Sequence, residues 1–418
     1  MLKNYLIISF KVLMRRKFYT FISLFGISFA LMVLMVLFAL YENAFGNIPP
    51  QSKNDRILTT TYVKFGWKNF FRISSPGYKL LKDYLKVHTL PRIEGASIIS
   101  SRDNVDLLFH DRAINVSLKR TDADFWKIFD FRFLEGRPLT ADDEKNSNYV
   151  AVISESIQKK IFGSKDPLDA FIELEGRPFR IVGVVPDVPA LCDRPYADVW
   201  VPLSTAKTKA YLEDGVFGDF GAVVLAQKRE DIPLIKKEYS ERLQRLDYPA
   251  PERWSYAKGR LETVRELGAR SILNKQGRLD KTYLDQFRVI LLIGITIFIF
   301  LPTINLVNIN LSRILERSSE IGVRRAFGAS SRILVAQFVF ENILLTLIGG
   351  ILAFGLSWGI IQVFNMVDTI PYNNLRFNFL IFFYGLTLTI LFGVVSGVYP
   401  AWKMSSLHPV AALRRGGI

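Results

Sequence analysis

The chain has 418 residues, half of them apolar, with 33 Phe, a mean hydropathy of +0.20 and a formal net charge of +15. That length allows two or three domains and a large core, and the hydropathy is high for a soluble protein. A basic balance of this size ordinarily points to nucleic acid, but the charge distribution argues against that partner: residues 42–285 hold 39 basic and 35 acidic side chains, a surplus of 4, and the other 11 lie in or beside apolar runs.

In chain order, "NYLIISFKVLMRRKFYTF" comes first. Leu6, Phe10, Leu13 and Met14 share one helical face while Lys3, Lys11 and Arg15 occupy others, which predicts an amphipathic helix over residues 1–17 lying along the inner leaflet. Phe18 to Tyr41 then carries no charge over 24 residues. A helix needs about 20 apolar residues to cross a hydrocarbon core of about 30 Å. The run exceeds the roughly 7 to 15 residues of a signal-peptide core, and "FALYENAFG" offers no small-x-small cleavage site, so residues 18–41 read as a retained signal anchor.

Residues 42–285 read as a mixed α+β domain. "YVAVISESIQKKIFG" is a strand running into a helix that stops at Gly163. "FIELEGRPFRIVGVVPDVP" turns at Glu175-Gly176 and is halted by Pro186 and Pro189, a hairpin pattern. "DIPLIKKEYSERLQRL" has helical spacing at Ile232, Ile235, Tyr239 and Leu243, and "RSILNKQGRLDKTYLDQFRVI" predicts a polar helix leading into the next apolar run. The length suits two subdomains. The single Cys192 cannot form an intrachain disulfide, so the core alone must hold the domain.

Three further apolar runs follow. Val289–Leu311 and Phe377–Trp402 are uncharged, and Ile333–Val367 carries one charge, Glu341. The expected fold is therefore an α-helical membrane protein with four transmembrane helices (18–41, 286–312, 333–363 and 377–402) plus a mixed α+β extracytoplasmic domain. Residues 1–17 and 312–332 hold five Lys or Arg each and 403–418 hold three, whereas the 364–376 turn holds only Arg376, balanced by Asp368. The positive-inside rule places the N-terminus, the 313–332 loop and the 403–418 tail in the cytoplasm, and 42–285 and the 364–376 turn outside.

A search for catalytic chemistry finds little. There is no G-x-x-x-x-G-K-[ST] loop, no H-E-x-x-H and no cysteine pair, and His88, His110 and His408 are scattered, so no catalytic, cofactor or metal residue is assigned. "GLSWG" formally matches G-x-S-x-G, but Ser357 lies inside an apolar run, and a G-x-x-x-G packing motif, as in "GVVSG", is the better reading. Asn305, Asn308 and Asn310 near the inner end of the second run and Glu341 in the third suggest an interhelical polar cluster, Asn305, Asn308 and Glu341 at its centre, that serves packing.

Between the second and third runs lies "LERSSEIGVRRAFGAS". Glu316, Glu320 and Arg324 step by four along one helical face, Ile321 and Phe327 supply apolar surface, Arg325 adds charge and Gly328 ends the helix. Such a helix suits docking in a groove of another protein; the alternative is a loop that meets only membrane lipid.

"NLVNINLSRILERSSEIGVRRAFGASSRILVAQFVFENILLTLIGG" resembles the signature of the FtsX/MacB-type ABC transporter permeases, in which an E-I-G-x-R/K-x-A-x-G-A loop joins the second and third spans. The ending "YPAWKMSSLHPVAALR" is similar to that family's, with Met404 where Ala is usual, and the segment containing "FLEGRPL" and "RIVGVVPDVP" resembles its extracytoplasmic domain. Asp169 stands where a glycine is usual, so that corner is expected to be built differently, and residues 200–285 match no quoted motif. The resemblance implies a permease of the bacterial inner membrane whose 313–332 loop couples to an ATP-binding subunit supplied in trans, paired with a second permease chain, identical or paralogous. It also leaves room for a periplasmic or outer-membrane partner. The chain itself is then no enzyme. The leading expectation is transmission of ATP-driven motion to the outer domain for export or extraction. An FtsX-like role controlling a cell-wall enzyme is the alternative, and a membrane-anchored enzyme ranks third.

Overall fold

In the computed structural model the described residues are 13–15, 17–67, 70–87, 90–110, 112–213, 215–245, 254–275, 278–279, 281–316, 331–367, 371–372 and 375–405. The principal elements, in chain order, begin with helix α1 (Lys17–Phe45) and strands β1 (Ile57–Thr60), β2 (Val63–Trp67), β3 (Phe70–Ser74), β4 (Ile93–Ser100), β5 (Asp103–Phe109), β6 (Arg112–Thr121), β7 (Glu135–Gly136) and β8 (Val150–Ser154). Helix α2 (Glu155–Ile161), β9 (Phe171–Leu174), β10 (Arg177–Val185), β11 (Val199–Pro202), β12 (Phe220–Ala226), α3 (Ile232–Gln244), β13 (Tyr256–Gly259), β14 (Glu262–Thr263) and α4 (Val264–Ile272) follow. Three long helices close the chain: α5 (Leu284–Glu316), α6 (Ser331–Met366) and α7 (Phe379–Ser405).

Two units separate by contact: residues 1–41, 288–367 and 375–418 in one, and 42–287 with 368–374 in the other. In the helical unit, α1, α6 and α7 pack through Ile27, Leu31, Ala353 and Leu386, and again through Ala39, Ile361 and Leu375. Asn365 closes the base of the α6–α7 connection, donating from Nδ2 to the Leu375 carbonyl (3.0 Å) and accepting from its N–H (2.8 Å). Helix α5 is different, since Ile290, Leu292, Ile293, Ile297, Leu301 and Ile304 are all more than half exposed in the single chain. Thr20 Oγ1 donates to the Leu13 carbonyl at 2.9 Å. Residues seven apart in a straight helix are separated by about 10 Å along the axis, so the chain turns between them.

Where four spans are expected, three helices are long and apolar enough among the described residues: Lys17–Phe45, Leu284–Leu301 and Val339–Met366. Helix α7 shows a shorter apolar stretch, Phe379–Leu391, because several side chains beyond it lie outside the description.

The second unit is built on an eleven-stranded sheet in the order β11-β8-β10-β9-β5-β6-β4-β12-β1-β14, with β7 beside β10. Strand β11 also pairs with β6, so the path β6-β5-β9-β10-β8-β11-β6 closes on itself. Alternating apolar residues of these strands (Leu107, Val116, Ile153, Leu174, Ile181 and Val199 among them) fill the interior as one core, and the β11–β6 pairing covers the edge β11 would otherwise expose. A three-stranded sheet, β13-β2-β3, packs with α3 on a second core that includes Leu58, Phe65, Val224, Ile235 and Tyr239.

Several local expectations are met. The β9–β10 turn is Glu175-Gly176, at φ 52 and 78, the left-handed pair a two-residue hairpin demands. Strand β8 runs into α2, and Ile232, Ile235, Tyr239 and Leu243 are the buried face of α3. Asp169 holds φ 60, so the corner keeps the left-handed backbone a glycine would supply, and its carboxylate takes a bond from Arg180 at 3.0 Å. Asp tolerates that region because its short polar side chain bonds locally. The polar helix expected over 270–290 is not continuous. Helix α4 starts at Val264, capped by Thr263 and Glu266, and ends at Leu273; Asn274 turns at φ 52 and helix resumes only at Leu284.

Candidate functional site

The coupling residues Glu320, Ile321, Arg324, Arg325, Phe327 and Gly328 lie outside the described residues, and Glu316 is the last residue of α5 with its side chain also outside them. Of the intramembrane cluster, Glu341 is buried beside Asn342, whose Nδ2 donates to the Gly393 carbonyl of α7 (3.3 Å). Asn308 is exposed on α5, and the Asn305 side chain is not described. Ser357 sits mid-helix with its hydroxyl bonded back to the Ala353 carbonyl (2.6 Å), a geometry no nucleophile elbow has. A Cβ added at Gly355 or Gly359 would meet nothing within 4 Å, whereas one at Gly393 would meet Thr346, so only the α7 glycine packs against a helix of its own chain.

The densest set of long-range bonds is at residues 186–198, the segment joining β10 to β11, which opens with the "PDVP" read from the sequence. Asp187 accepts from the N–H (3.0 Å) and Oγ (2.7 Å) of Ser156, at the start of α2. Ala190 N–H donates to the Pro371 carbonyl (3.1 Å), and Cys192 Sγ to the Asn43 carbonyl (3.5 Å). The Asp198 N–H donates to the Ser117 carbonyl of β6 (2.8 Å), and its carboxylate accepts from the Ser117 N–H (2.7 Å) and from the Tyr372 phenol (2.7 Å). The segment thus bonds to the last turn of α1 through Cys192 and to the chain between α6 and α7 through Ala190 and Asp198, and Asp198 ties it to β6 of the closed sheet.

Lys119 fixes the segment from beneath. It lies in β6 opposite Trp200, is 3% exposed, and its Nζ donates to the carbonyls of Asp193 (2.9 Å) and Arg194 (2.6 Å). Burial, opposed by Asp193 and reinforced by Arg194 and Arg102, lowers its pKa to about 7. A neutral amine still has the two N–H groups those carbonyls need. Burial, with the bond to Asp198, raises the Tyr372 phenol far above its usual range. Burial also pushes the Cys192 thiol up to about 12, so it is a protonated, unreactive core group.

Nearby, α4 approaches Phe45 so closely that a Cβ at Gly268 would fall on its ring. Buried Arg270 pairs with Glu262, and Lys236 of α3 pairs with Glu266, fixing α4 to the domain. This arrangement holds no paired nucleophile and base and, among the described residues, no metal-binding group of His, Cys, Asp or Glu. It is a hydrogen-bonded junction within the α/β unit. Sequence reasoning missed Lys119, Asp198, Gly268 and Tyr372, because their partners lie 74 to 223 positions away; only the "PDVP" motif marked the segment.

Membrane-length apolar helices joined to a large α/β domain fit a membrane protein that carries a domain outside its helices. Residues 20–241 match the MacB-like periplasmic core domain and residues 292–409 the FtsX-like permease C-terminal domain. The chain belongs to the FtsX/MacB-type ABC transporter permeases, proteins of the inner, cytoplasmic membrane. It is similar to the uncharacterized ABC transporter permeases YvrN (28% identity over 78% of this chain and 76% of that protein) and YknZ (26%; 78% and 77%), both of Bacillus subtilis strain 168. It is also similar to the macrolide export ATP-binding/permease protein MacB of Pasteurella multocida strain Pm70, at 25% identity over 79% of this chain and 49% of that protein. The chain thus spans about half the length of that two-function relative.

Proposed function

We propose that this chain is the permease subunit of an ABC transporter, and that it carries motion from a separate ATP-binding subunit to its extracytoplasmic domain for export or extraction of a substrate. The observation that supports the reading best is the 186–198 joint, where the last turn of α1 and the chain between α6 and α7 are bonded to one segment of the outer domain. Displacement of either chain segment then moves the closed sheet as a body. Four spans, with both termini and the 313–332 loop in the cytoplasm, complete the layout. In that loop Glu316, Glu320, Arg324 and Arg325 pair with charges of the ATPase, Ile321 and Phe327 fill its apolar floor, and Gly328 ends the coupling helix. The bare apolar surface of α5 suits lipid and a second permease chain, and buried Glu341 and Asn342 serve helix packing.

The test is Glu320→Lys combined with Arg324→Glu. Membrane levels should be normal, while losing a close interfacial charge pair costs about 2–5 kcal/mol, lowering ATPase affinity by roughly tens- to thousands-fold. Wild-type co-purification and wild-type permease-stimulated hydrolysis would show that the loop is only a topological signal.

A further inference from the structure

The three-stranded sheet has one face in the core and one face out. On the outer face Lys64 and Lys258 stand directly opposite each other across the β2–β13 pair. Like charges so placed repel, and neither lysine has a carboxylate partner among the described residues. Each instead lies over an aromatic ring of the same face: Lys64 Nζ is 3.9 Å from the Phe71 centroid and Lys258 Nζ 5.8 Å from that of Tyr256. Phe71 is 53% exposed and its neighbour Phe70 61%.

Strand β3 forms the border of this sheet. Among the described residues it pairs through Phe70–Ser74 with β2 alone, and the chain meets Phe217 beyond it, at Pro76. One row of its backbone N–H and C=O groups is therefore open next to the cationic, aromatic face. Exposed apolar edges are usually shortened, twisted away or covered, and this one is five residues long.

We propose that the β3 edge and the Lys64–Lys258 face dock an acidic, extended segment of a partner protein, added to the sheet as a fourth strand. Carboxylates on one face of the added strand meet the lysine face, nearest Lys64, whose ammonium already reaches over Phe71 of β3, and the alternate apolar side chains point to the opposite face, beside exposed Phe70. Strand addition supplies the main-chain bonds and the alternate side chains the selectivity. An anionic lipid would answer the lysines and leave the open backbone row unpaired.

The test uses the full-length chain in phosphatidylcholine nanodiscs and a fluorescent peptide of about a dozen residues, alternating glutamate with valine and phenylalanine. Three comparisons accompany it: the same peptide with lysine for glutamate, the same peptide N-methylated on alternate amides so that it cannot pair as a strand, and competition by phosphatidylglycerol vesicles. The acidic peptide should bind, the other two at least about tenfold more weakly, and Lys64→Glu with Lys258→Glu should cost the acidic peptide about tenfold or more with an unchanged melting midpoint. The proposal is overturned if the acidic peptide fails to bind, if N-methylation or the double substitution leaves its affinity unchanged, or if only the vesicles bind. No ATPase enters the measurement, so its failure leaves the coupling reading untouched.

Discussion

Lys119 shows how one residue can be illegible in sequence and decisive in structure. In "AINVSLKRT" it looks like an outward position of an alternating strand, yet β6 is covered on both faces near its end and the ammonium group is buried. Its pKa of about 7 against an ordinary 10.5 means the unfolded chain binds more protons above pH 7, so stability rises with pH there. Cys192, raised to about 12 from 9.0, works in the opposite sense above pH 9, where only the unfolded thiol ionises. The clean window is therefore pH 7 to 9. Lys119→Met should flatten the dependence, and wild type should gain up to about 1.4 kcal/mol per pH unit relative to the variant, read from denaturant midpoints of the outer-domain transition. A constant difference between the two across that window would refute the buried lysine. Asp169 teaches a related lesson: the sequence departure was visible, but its left-handed backbone was not, because Asp can hold it.

Among the elements, those with local signals were legible. The β9–β10 hairpin, α2 and α3 follow from turn residues and apolar spacing alone. The closed sheet was not, because it depends on the parallel β6–β11 pairing between strands some 80 residues apart, which no local pattern announces. Nor was the α4 junction legible. A glycine inside a helix costs about 1 kcal/mol relative to alanine, and Gly268 is explained only by the Phe45 ring against it. Gly268→Val should force that ring out and destabilise the domain by about 1–3 kcal/mol. Adding Phe45→Ala should recover a large part of that loss in a double-mutant cycle. Additive effects would mean the contact carries no strain.

For the whole molecule, the charge pattern settled most of the plan before any coordinates: apolar runs of span length, one large domain between the first and second, and a charged loop between the second and third. What it could not show was how the outer domain is gripped, since the 186–198 joint draws on residues in the last turn of α1, next to α6 and deep in β6. With Cys192 first replaced by Ala, a single cysteine at Ser147 should react with an impermeant thiol reagent in intact cells, and those at Asn4, Ser319 and Ser405 should be shielded. Labelling at 319 from outside would overturn the layout.

The central claim, that ATP-driven motion reaches the outer domain through residues 186–198, is tested most directly by hydrogen exchange of that segment in the assembled permease–ATPase complex, with ATP and without nucleotide. Exchange at 186–198 should differ between the two states, and the difference should vanish in the Glu320→Lys, Arg324→Glu chain. Identical exchange in both states, in a wild-type complex that hydrolyses ATP, would contradict the account.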